Sequence, residues 1–157
     1  MQLEYFQLID RILDLDTEAK TITVEAQVPT ASTIFEGHFP GYPLMPGVLL
    51  IESMAQTCGW LLLGLMKFER MPFLAAVKEA KMRGFVMPGE LLTIDANVLH
   101  EGSGYAMTEA RVKVGGKLRC NATIMFSHVP FPNPDMRGHM DAMAKRIGFP
   151  QQAITHD

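Results

Sequence analysis

Hydrophobic and polar residues alternate along several short stretches of this chain and run almost without interruption along one longer stretch. Alternation with a period of two is typical of a β-strand that buries one face, whereas a long apolar run indicates a buried helix. The pattern predicts a helix over residues 47–68 and strands over residues 7–16, 21–28, 73–85, 91–100, 105–114 and 117–126.

Turn residues between the predicted strands indicate how the strands pair. Residues 21–28 alternate most regularly, and a polar turn separates them from residues 7–16, so these two segments form a predicted hairpin. Gly115 and Gly116 stand between the last two predicted strands. A glycine pair at such a point is typical of a tight hairpin turn.

The long apolar helix determines the predicted architecture. The preceding loop, residues 29–46, contains Pro40, Pro43 and Pro46, which forbid regular structure, and Pro46 suits a position at or near the first turn of the helix. A helix that is apolar on all sides must be surrounded by other elements. Two strands before it and four after it predict an α+β fold, in which a curved antiparallel sheet wraps around the helix. The sheet's edges favour dimerisation.

The chain divides into a body over residues 1–127 and a tail over residues 128–157. Its length predicts one compact domain. The tail is rich in proline and polar residues, which predicts an appended segment with one short helix near residues 136–146. The apolar helix approaches the length of a membrane span. Glu52 and Gln56 within it, and strand-like flanks, favour the centre of a globular fold over a membrane span.

Charge and cysteine content exclude several classes of protein. The formal net charge of −3 argues against a large nucleic-acid-binding surface. Cys58 and Cys120 lack metal-ligand spacing, so we expect two reduced structural thiols. The N-terminal residues have no basic region followed by an apolar run, so we expect no signal peptide and a cytoplasmic protein.

A histidine and a glutamate flank the start of the predicted helix. His38 lies in a constrained loop, and an imidazole can abstract a proton near neutral pH. The apolar neighbours of Glu52 suit it to act as a general acid, and Gln56, one turn later, can orient it. The unpaired amides from Gly47 onward can hold a carbonyl oxygen. These groups fit proton abstraction beside an activated carbonyl with loss of a β-hydroxyl, although each alone can equally be structural.

A basic run and the remaining histidines are less specific signals. The run fits either an acidic partner or a solvated strand edge, and its candidate residues are Lys78, Lys81 and Arg83. The other histidines lie at a strand end or in and near the tail, and we expect no catalytic role for them; they are His100, His128, His139 and His156.

The stretch GHFPGYPLMPGVLLIESMAQ, residues 37–56, closely resembles the motif of the 3-hydroxyacyl-[acyl-carrier-protein] dehydratases of bacterial type II fatty acid synthesis. The resemblance is long and ungapped here, and it extends more weakly over about residues 5–127, without the tail. It implies a hotdog fold and an obligate homodimer, which often assembles into a hexamer. It also implies that no metal or redox cofactor is needed.

The same resemblance implies a role for each residue of the motif. His38 of one chain removes the proton from C2, and Glu52 of the partner subunit acts on the C3 hydroxyl, directly or through water. The Gly47 amide binds the thioester carbonyl, and Gln56 steadies the carboxylate.

Two further residues, Phe39 and Val48, are expected to contact the substrate. The resemblance implies that the substrate arrives on the phosphopantetheine arm of acyl carrier protein, which is acidic. The docking edge is then expected at Lys78, Lys81 and Arg83.

The chain also departs from the family. The usual N-terminal HR-P segment is absent, and Gly84-Phe85 replaces a basic residue followed by proline. These differences and the tail resemble a divergent branch, some of whose members serve very long or hydroxylated acyl chains of lipid A.

Three alternative functions remain open from the sequence. A dehydratase that also isomerises its product usually carries aspartate at the position of Glu52. A hotdog thioesterase activates water with a helix carboxylate and does not need the histidine. A catalytically silent acyl-binding subunit need not retain His38, Glu52 and Gln56 together.

Overall fold

The computed structural model describes residues 1–153, which fold as one antiparallel sheet around a long helix. These residues contain the helices α1 (Thr33–Gly37), α2 (Gly47–Leu65) and α3 (Pro134–Arg146). They also contain the strands β1 (Arg11–Asp16), β2 (Thr21–Gln27), β3 (Met71–Met82), β4 (Leu91–Gly102), β5 (Tyr105–Val114) and β6 (Lys117–Val129).

The sheet has the strand order β1-β2-β4-β5-β6-β3, and every neighbouring pair is antiparallel. Helix α2 packs against strands on both sides of the sheet order, from β2 to β3, and so occupies the centre of the fold. By length and composition α2 could cross a membrane, but 67 % of its apolar stretch is buried inside the protein, as expected of a core helix. The predicted α+β architecture, with a curved sheet around one apolar helix, is confirmed.

Both ends of α2 have a local cause. Pro46 is the N-cap, with a φ of −58° and a ψ of 134°, so it stands immediately before the first turn, near the predicted position. The helix ends at Leu65, before the predicted residue 68, because Lys67 and Phe68 adopt positive φ angles of 52° and 58°. A left-handed backbone stops helical hydrogen bonding.

The predicted hairpins are confirmed. β1 pairs with β2, and the alternating apolar residues of β2 and its end face the core, namely Ile22, Val24, Ala26 and Val28. Gly115 and Gly116 connect β5 to β6 with φ angles of 55° and 79°. A two-residue turn with both angles positive matches the twist of the strands that it joins.

Two predictions near the N-terminus are wrong. The loop over residues 29–46 contains α1, whose N-cap is Ser32; its hydroxyl accepts a hydrogen bond from the Ile34 amide at 3.1 Å. β1 begins at Arg11 and not at residue 7, because Gln2 and Gln7 pair with each other across a short 3-10 turn. Local backbone pairing therefore replaces the first part of the predicted strand.

The predicted tail helix is confirmed as α3, but the tail packs against the body. Ala144, Ile147 and Phe149 are all buried in the main core. The remainder of the predicted tail segment, residues 154–157 with His156, lies outside the described residues.

Candidate functional site

His38 follows α1 directly, and the loop after it fixes the imidazole ring. The His38 backbone N–H donates to Ile34, and its carbonyl accepts from the Leu44 N–H at 2.9 Å. Nδ1 of the ring lies 3.0 Å from the Leu44 carbonyl oxygen. Because a carbonyl can only accept, Nδ1 carries a proton, and in the neutral ring Nε2 keeps its lone pair. This tautomer leaves Nε2 as the basic atom.

Phe39 stacks on the His38 ring, with centroids 4.0 Å apart and planes inclined by 27°. Half of the Phe39 side chain is exposed. The predicted substrate contact at Phe39 therefore lies beside the predicted base, and its apolar ring is free to meet a ligand or another subunit.

Glu52 lies in the second turn of α2, and Gln56 holds its carboxylate. The Gln56 Nε2 donates to Glu52 Oε1 at 3.2 Å and to the Phe6 carbonyl at 2.8 Å. The Gln56 Oε1 accepts from the Leu8 N–H at 3.1 Å. The amide group thus has partners on both of its atoms, which fixes its orientation and sets which way it faces Glu52.

An apolar groove of about 380 Å³ runs beside this pair. One face of α2 forms its floor, at the helical spacing of three and four, with Glu52, Ala55, Gln56, Gly59, Trp60 and Leu63. Other walls come from the N-terminal segment, β3 and α3. The volume falls within the usual range for small-molecule pockets, about 300–1,000 Å³. A carboxylate at one end of a largely apolar groove suits a ligand with a reactive head and an apolar chain.

His38 is absent from the residues that line this groove in the same chain. Its ring is instead held by its own loop, through Leu44. Within one chain, the groove therefore contains only one of the two predicted catalytic side chains.

The start of α2 carries the other two predicted substrate contacts. Gly47 is the first helical residue, so its N–H has no acceptor within the helix. The Met82 sulfur lies 3.5 Å from where a Cβ on Gly47 would stand. That side of Gly47 is therefore occupied by Met82. Val48 is 72 % exposed and projects an apolar side chain at the helix start.

The predicted docking lysines lie at an irregularity of β3. Lys78 pairs with Thr123, but Lys81 pairs with Asn121, so three residues on β3 oppose two on β6. Glu79, with a φ of 50°, supplies the extra residue of this β-bulge. Without it, residues three apart would face opposite sides of the sheet. The bulge therefore brings Lys78 and Lys81 to the same face.

Arg83 joins this basic face beyond the end of β3. Its Nε donates to the Asn121 side chain at 2.7 Å, and its N–H donates to the Arg119 carbonyl. Lys78, Lys81 and Arg83 are all exposed. Lys81 and Arg83 line one surface depression together with the acidic residues Glu79 and Glu109, whereas Lys78 does not line it.

The cysteines are unsuited to nucleophilic chemistry. Burial raises the pKa of Cys58 to about 12 and that of Cys120 to about 11. Both thiols therefore stay protonated near neutral pH. Within residues 1–153, no cluster of three or more histidine, cysteine, aspartate or glutamate side chains is arranged to hold a metal ion.

The sequence prediction missed the contribution of α3 to the groove. Met140, Met143 and Ile147 line it, although the tail was expected to be an appendage. Their spacing of three and four residues was a signal for one apolar helix face. Nothing in that spacing could indicate which part of the body the face covers.

Comparison with known proteins places this geometry in a family. Residues 1–123 match the FabA-like domain. A 3-hydroxyacyl-[acyl-carrier-protein] dehydratase FabZ of Desulforamulus reducens is 38% identical over 123 residues, covering 78% of this chain and 86% of the relative. A FabZ dehydratase of Koribacter versatilis is 35% identical over 127 residues, covering 80% of this chain and 81% of the relative.

Solved structures share the hotdog fold. A conserved protein of Pseudomonas aeruginosa aligns with a TM-score of 0.64 at 24% identity, over 80% of this chain and 91% of that one. The dehydratase heterocomplex ApeI:P of Xenorhabdus doucetiae aligns with a TM-score of 0.56 at 18% identity, over 74% of this chain and 96% of that one. A hypothetical thioesterase of Streptococcus pneumoniae, solved with coenzyme A, aligns with a TM-score of 0.61 at 14% identity, over 78% of this chain and 90% of that one. These likenesses show the fold alone, whereas the sequence match over residues 1–123 shows that the chain belongs to the FabA-like family.

Proposed function

We propose that this protein removes water from 3-hydroxyacyl chains carried by acyl carrier protein and gives the trans-2-enoyl product of fatty acid biosynthesis. The observation that carries the proposal is the Glu52–Gln56 pair at the apolar groove. The names of the FabZ relatives, which are 3-hydroxyacyl-[acyl-carrier-protein] dehydratases, support the same reaction.

The chemistry divides between a base and an acid. The Nε2 atom of His38 takes the proton from C2, and the electron pair of that C–H bond forms the C2–C3 double bond. The C3–O bond breaks as protonated Glu52 gives its proton to the leaving hydroxyl, which departs as water. The Gly47 amide, at the positive end of α2, binds the thioester oxygen while negative charge develops on it. A proton returned from His38 to Glu52, through water, restores both groups.

The active site is proposed to form between two copies of the chain. His38 does not line the groove that holds Glu52 in the same chain, and its ring contacts the Leu44 carbonyl instead. β3 lies at the edge of the sheet and exposes Phe73 and Val77, which are 60% and 39% accessible. An edge strand with exposed apolar side chains favours pairing with a second copy. His38 of one chain would then face Glu52 of the partner subunit; assembly into a hexamer remains a prediction.

Acyl carrier protein is proposed to dock on the basic face of β3, which comprises Lys78, Lys81 and Arg83. The β-bulge at Glu79 supports this proposal because it turns the two lysines to one side. A face of three exposed cations suits an acidic carrier and raises the rate of encounter. A cytoplasmic location, the absence of a metal or redox cofactor and service to lipid A chains remain predictions from the sequence.

A mixing experiment tests the reaction and the shared site together. His38→Ala and Glu52→Ala should each lower kcat for enoyl formation by about 10²–10⁴-fold. Co-expressing the two inactive variants should restore about a quarter of the wild-type rate, because half of random dimers are mixed and each has one intact site. As a control, His38→Ala mixed with the double variant has no intact site and should restore nothing. Unchanged turnover in either single variant would remove the assigned role, and no recovery on mixing would place both residues in one chain.

The same assay separates the thioesterase alternative, which the open groove beside a helix carboxylate also fits. A thioesterase would release free carrier thiol without enoyl product. A dehydratase forms enoyl thioester and leaves the carrier acylated. If the protein forms neither free thiol nor enoyl product, the remaining explanation is a catalytically silent acyl-binding subunit.

A further inference from the structure

The groove beside Glu52 is closed on one side by the C-terminal segment, which we define as residues 134–149. Met140, Met143 and Ile147 of this segment line the groove. They are spaced by three and four residues and so project from one side of α3 and its end. The opposite floor is the face of α2 that begins with Glu52 and ends with Leu63. The FabA-like match ends at residue 123, before this segment begins.

A specific turn holds the C-terminal segment in place. Gly148 has a φ of 75°, and the Phe149 N–H donates to the Ala144 carbonyl at 2.8 Å, while the Gly148 N–H donates to Lys145. This is the Schellman arrangement, which ends a helix and reverses the direction of the chain. It directs the Phe149 side chain into the body of the protein, where 2 % of it is exposed.

Phe149 fits between aromatic rings at the far end of α2. It contacts Phe68 edge to face at 5.2 Å between centroids and lies 6.0 Å from Trp60. Its ring also fills the space beside Gly64, where an added Cβ would come within 2.9 Å of Cζ. The Ile147 carbonyl accepts a hydrogen bond from Ile12 of β1 at 2.8 Å. The segment is therefore fixed to the body at two independent points.

The position of this anchor defines which end of the groove is covered. Gly64 follows Leu63, the last groove residue of α2, whereas Glu52 lies at the other end. Glu52 and Leu63 are eleven positions apart on the helix, which corresponds to about 16 Å along the axis. An acyl chain whose head group meets Glu52 would extend along the apolar floor towards the C-terminal segment.

We propose that the C-terminal segment forms the end wall of the acyl groove and that Met140 and Met143 set which chain lengths it accepts. The proposal rests on the proposed function in taking an acyl chain as the occupant of the groove. Both methionines are partly exposed beside buried neighbours. Their unbranched, flexible side chains can adjust to a chain end, and trimming them lengthens the available space.

The first test is a profile of turnover against chain length. The substrates are 3-hydroxyacyl chains from short to very long on acyl carrier protein. Met143→Ala should raise the ratio of kcat/KM for long over short chains by about tenfold or more, the usual effect of a methylene-sized change in an apolar pocket. Met143→Phe should lower the same ratio. Met136→Ala is the matched control, because Met136 lies on α3, is exposed and does not line the groove.

The second test measures binding without turnover. Trp60 is the single tryptophan of the chain and lines the groove, so its fluorescence reports an occupant. Saturated acyl-pantetheine thioesters of increasing length serve as probes, since they have no hydroxyl to eliminate. Met143→Ala should shift the tightest-binding probe to a longer chain, and Met136→Ala should not.

The outcomes separate this inference from the proposed function. Dehydration with the same length profile in Met143→Ala and wild type overturns the inference and leaves the function intact. If no substrate is dehydrated but Met143→Ala still shifts the binding profile to longer chains, the proposed dehydratase function is overturned and the proposed end wall is supported. If Met143→Ala does not fold, as judged by its melting transition, Met140→Ala replaces it and must show the same shift.

Discussion

The two ends of α2 are built in different ways. At the first end, Gln56 joins Glu52 to the main chain of Phe6 and Leu8 by directional hydrogen bonds. At the far end, Gly64 and Trp60 receive Phe149 in a packed aromatic cluster. Hydrogen bonds at the first end fix the direction of the Glu52 carboxylate, whereas packing at the second end fixes the position of the C-terminal segment.

One helix can therefore place polar, orienting contacts in one part of its length and apolar packing in another. Changing Glu52 alters a group that is partly exposed and contributes little to the core. Changing Phe149 removes a buried ring from the main core. Substitutions at the first end should therefore mainly change the turnover rate, and substitutions at the second end should mainly change the free energy of unfolding.

The largest expected effect on stability comes from Phe149→Ala. Removing a buried phenylalanine costs about 3–5 kcal/mol of unfolding free energy, and this ring contacts both Trp60 and Phe68. Denaturant unfolding followed by Trp60 fluorescence measures the loss, and Phe149→Leu should lose less. Turnover per folded molecule on a short chain should stay close to wild type. Wild-type stability in Phe149→Ala would show that the segment is not packed on α2.

A smaller effect is expected from adding one methyl group at the far end. In Gly64→Ala the new Cβ would stand 2.9 Å from Phe149 Cζ, so a buried ring must move. Overpacking of this kind costs about 1–3 kcal/mol. Gly59→Ala is the matched control, since its Cβ would meet only Pro72, at 4.0 Å, and helix propensity then favours alanine by up to about 1 kcal/mol. Equal melting temperatures for the two variants would contradict the close contact.

The smallest effect on stability is expected from Glu4→Gln, in the N-terminal segment before β1. The Ser32 hydroxyl and the Thr33 N–H donate to the Glu4 carboxylate at 2.7 and 3.1 Å. These bonds, led by that from Ser32, lower the pKa of Glu4 from 4.5 to about 2. They tie the N-terminal segment to the start of α1, and so to the loop that holds His38.

The sign of the pH dependence follows from that lowered pKa. The ionised form is favoured by folding, so its stabilisation is complete above pH 4.5 and disappears as the pH falls towards 2. Melting temperatures of wild type and Glu4→Gln should therefore differ slightly above pH 4.5 and converge on acidification. A difference that grows on acidification would contradict the assignment.

Much of the fold could be predicted from the sequence because its signals are local. The alternation of Ile22 and Val24 and the pair Gly115-Gly116 each specify one conformation within a few residues. The unbroken apolar surface of α2 requires enclosure, and a curved sheet is the economical solution. The sequence also predicted a base, an acid and an orienting amide, because His38, Glu52 and Gln56 are chemically unusual for their surroundings, and the structure shows the predicted hydrogen bond from Gln56 to Glu52.

The remaining features depend on contacts between distant parts of the chain. α1 was missed because its only strong signal was one capping residue, Ser32. The face shared by Lys78 and Lys81 depends on a bulge at Glu79, a residue with no preference for a positive φ. The docking of Phe149 depends on the space beside Gly64. In the sequence, Gly64 is simply a glycine within a predicted helix, and nothing near it indicates which side chain fills that space.

The anchoring of Phe149 also has a consequence for synthesis on the ribosome. The chain leaves the ribosome from its N-terminus, so α2 emerges before Phe149 does. Until then Trp60 and Phe68 lack the ring that covers them. Exposed aromatic surface on a nascent chain favours association with chaperones or with other chains. The residues that follow α3 therefore complete the cover of Trp60 and Phe68 only once the chain is almost entirely made.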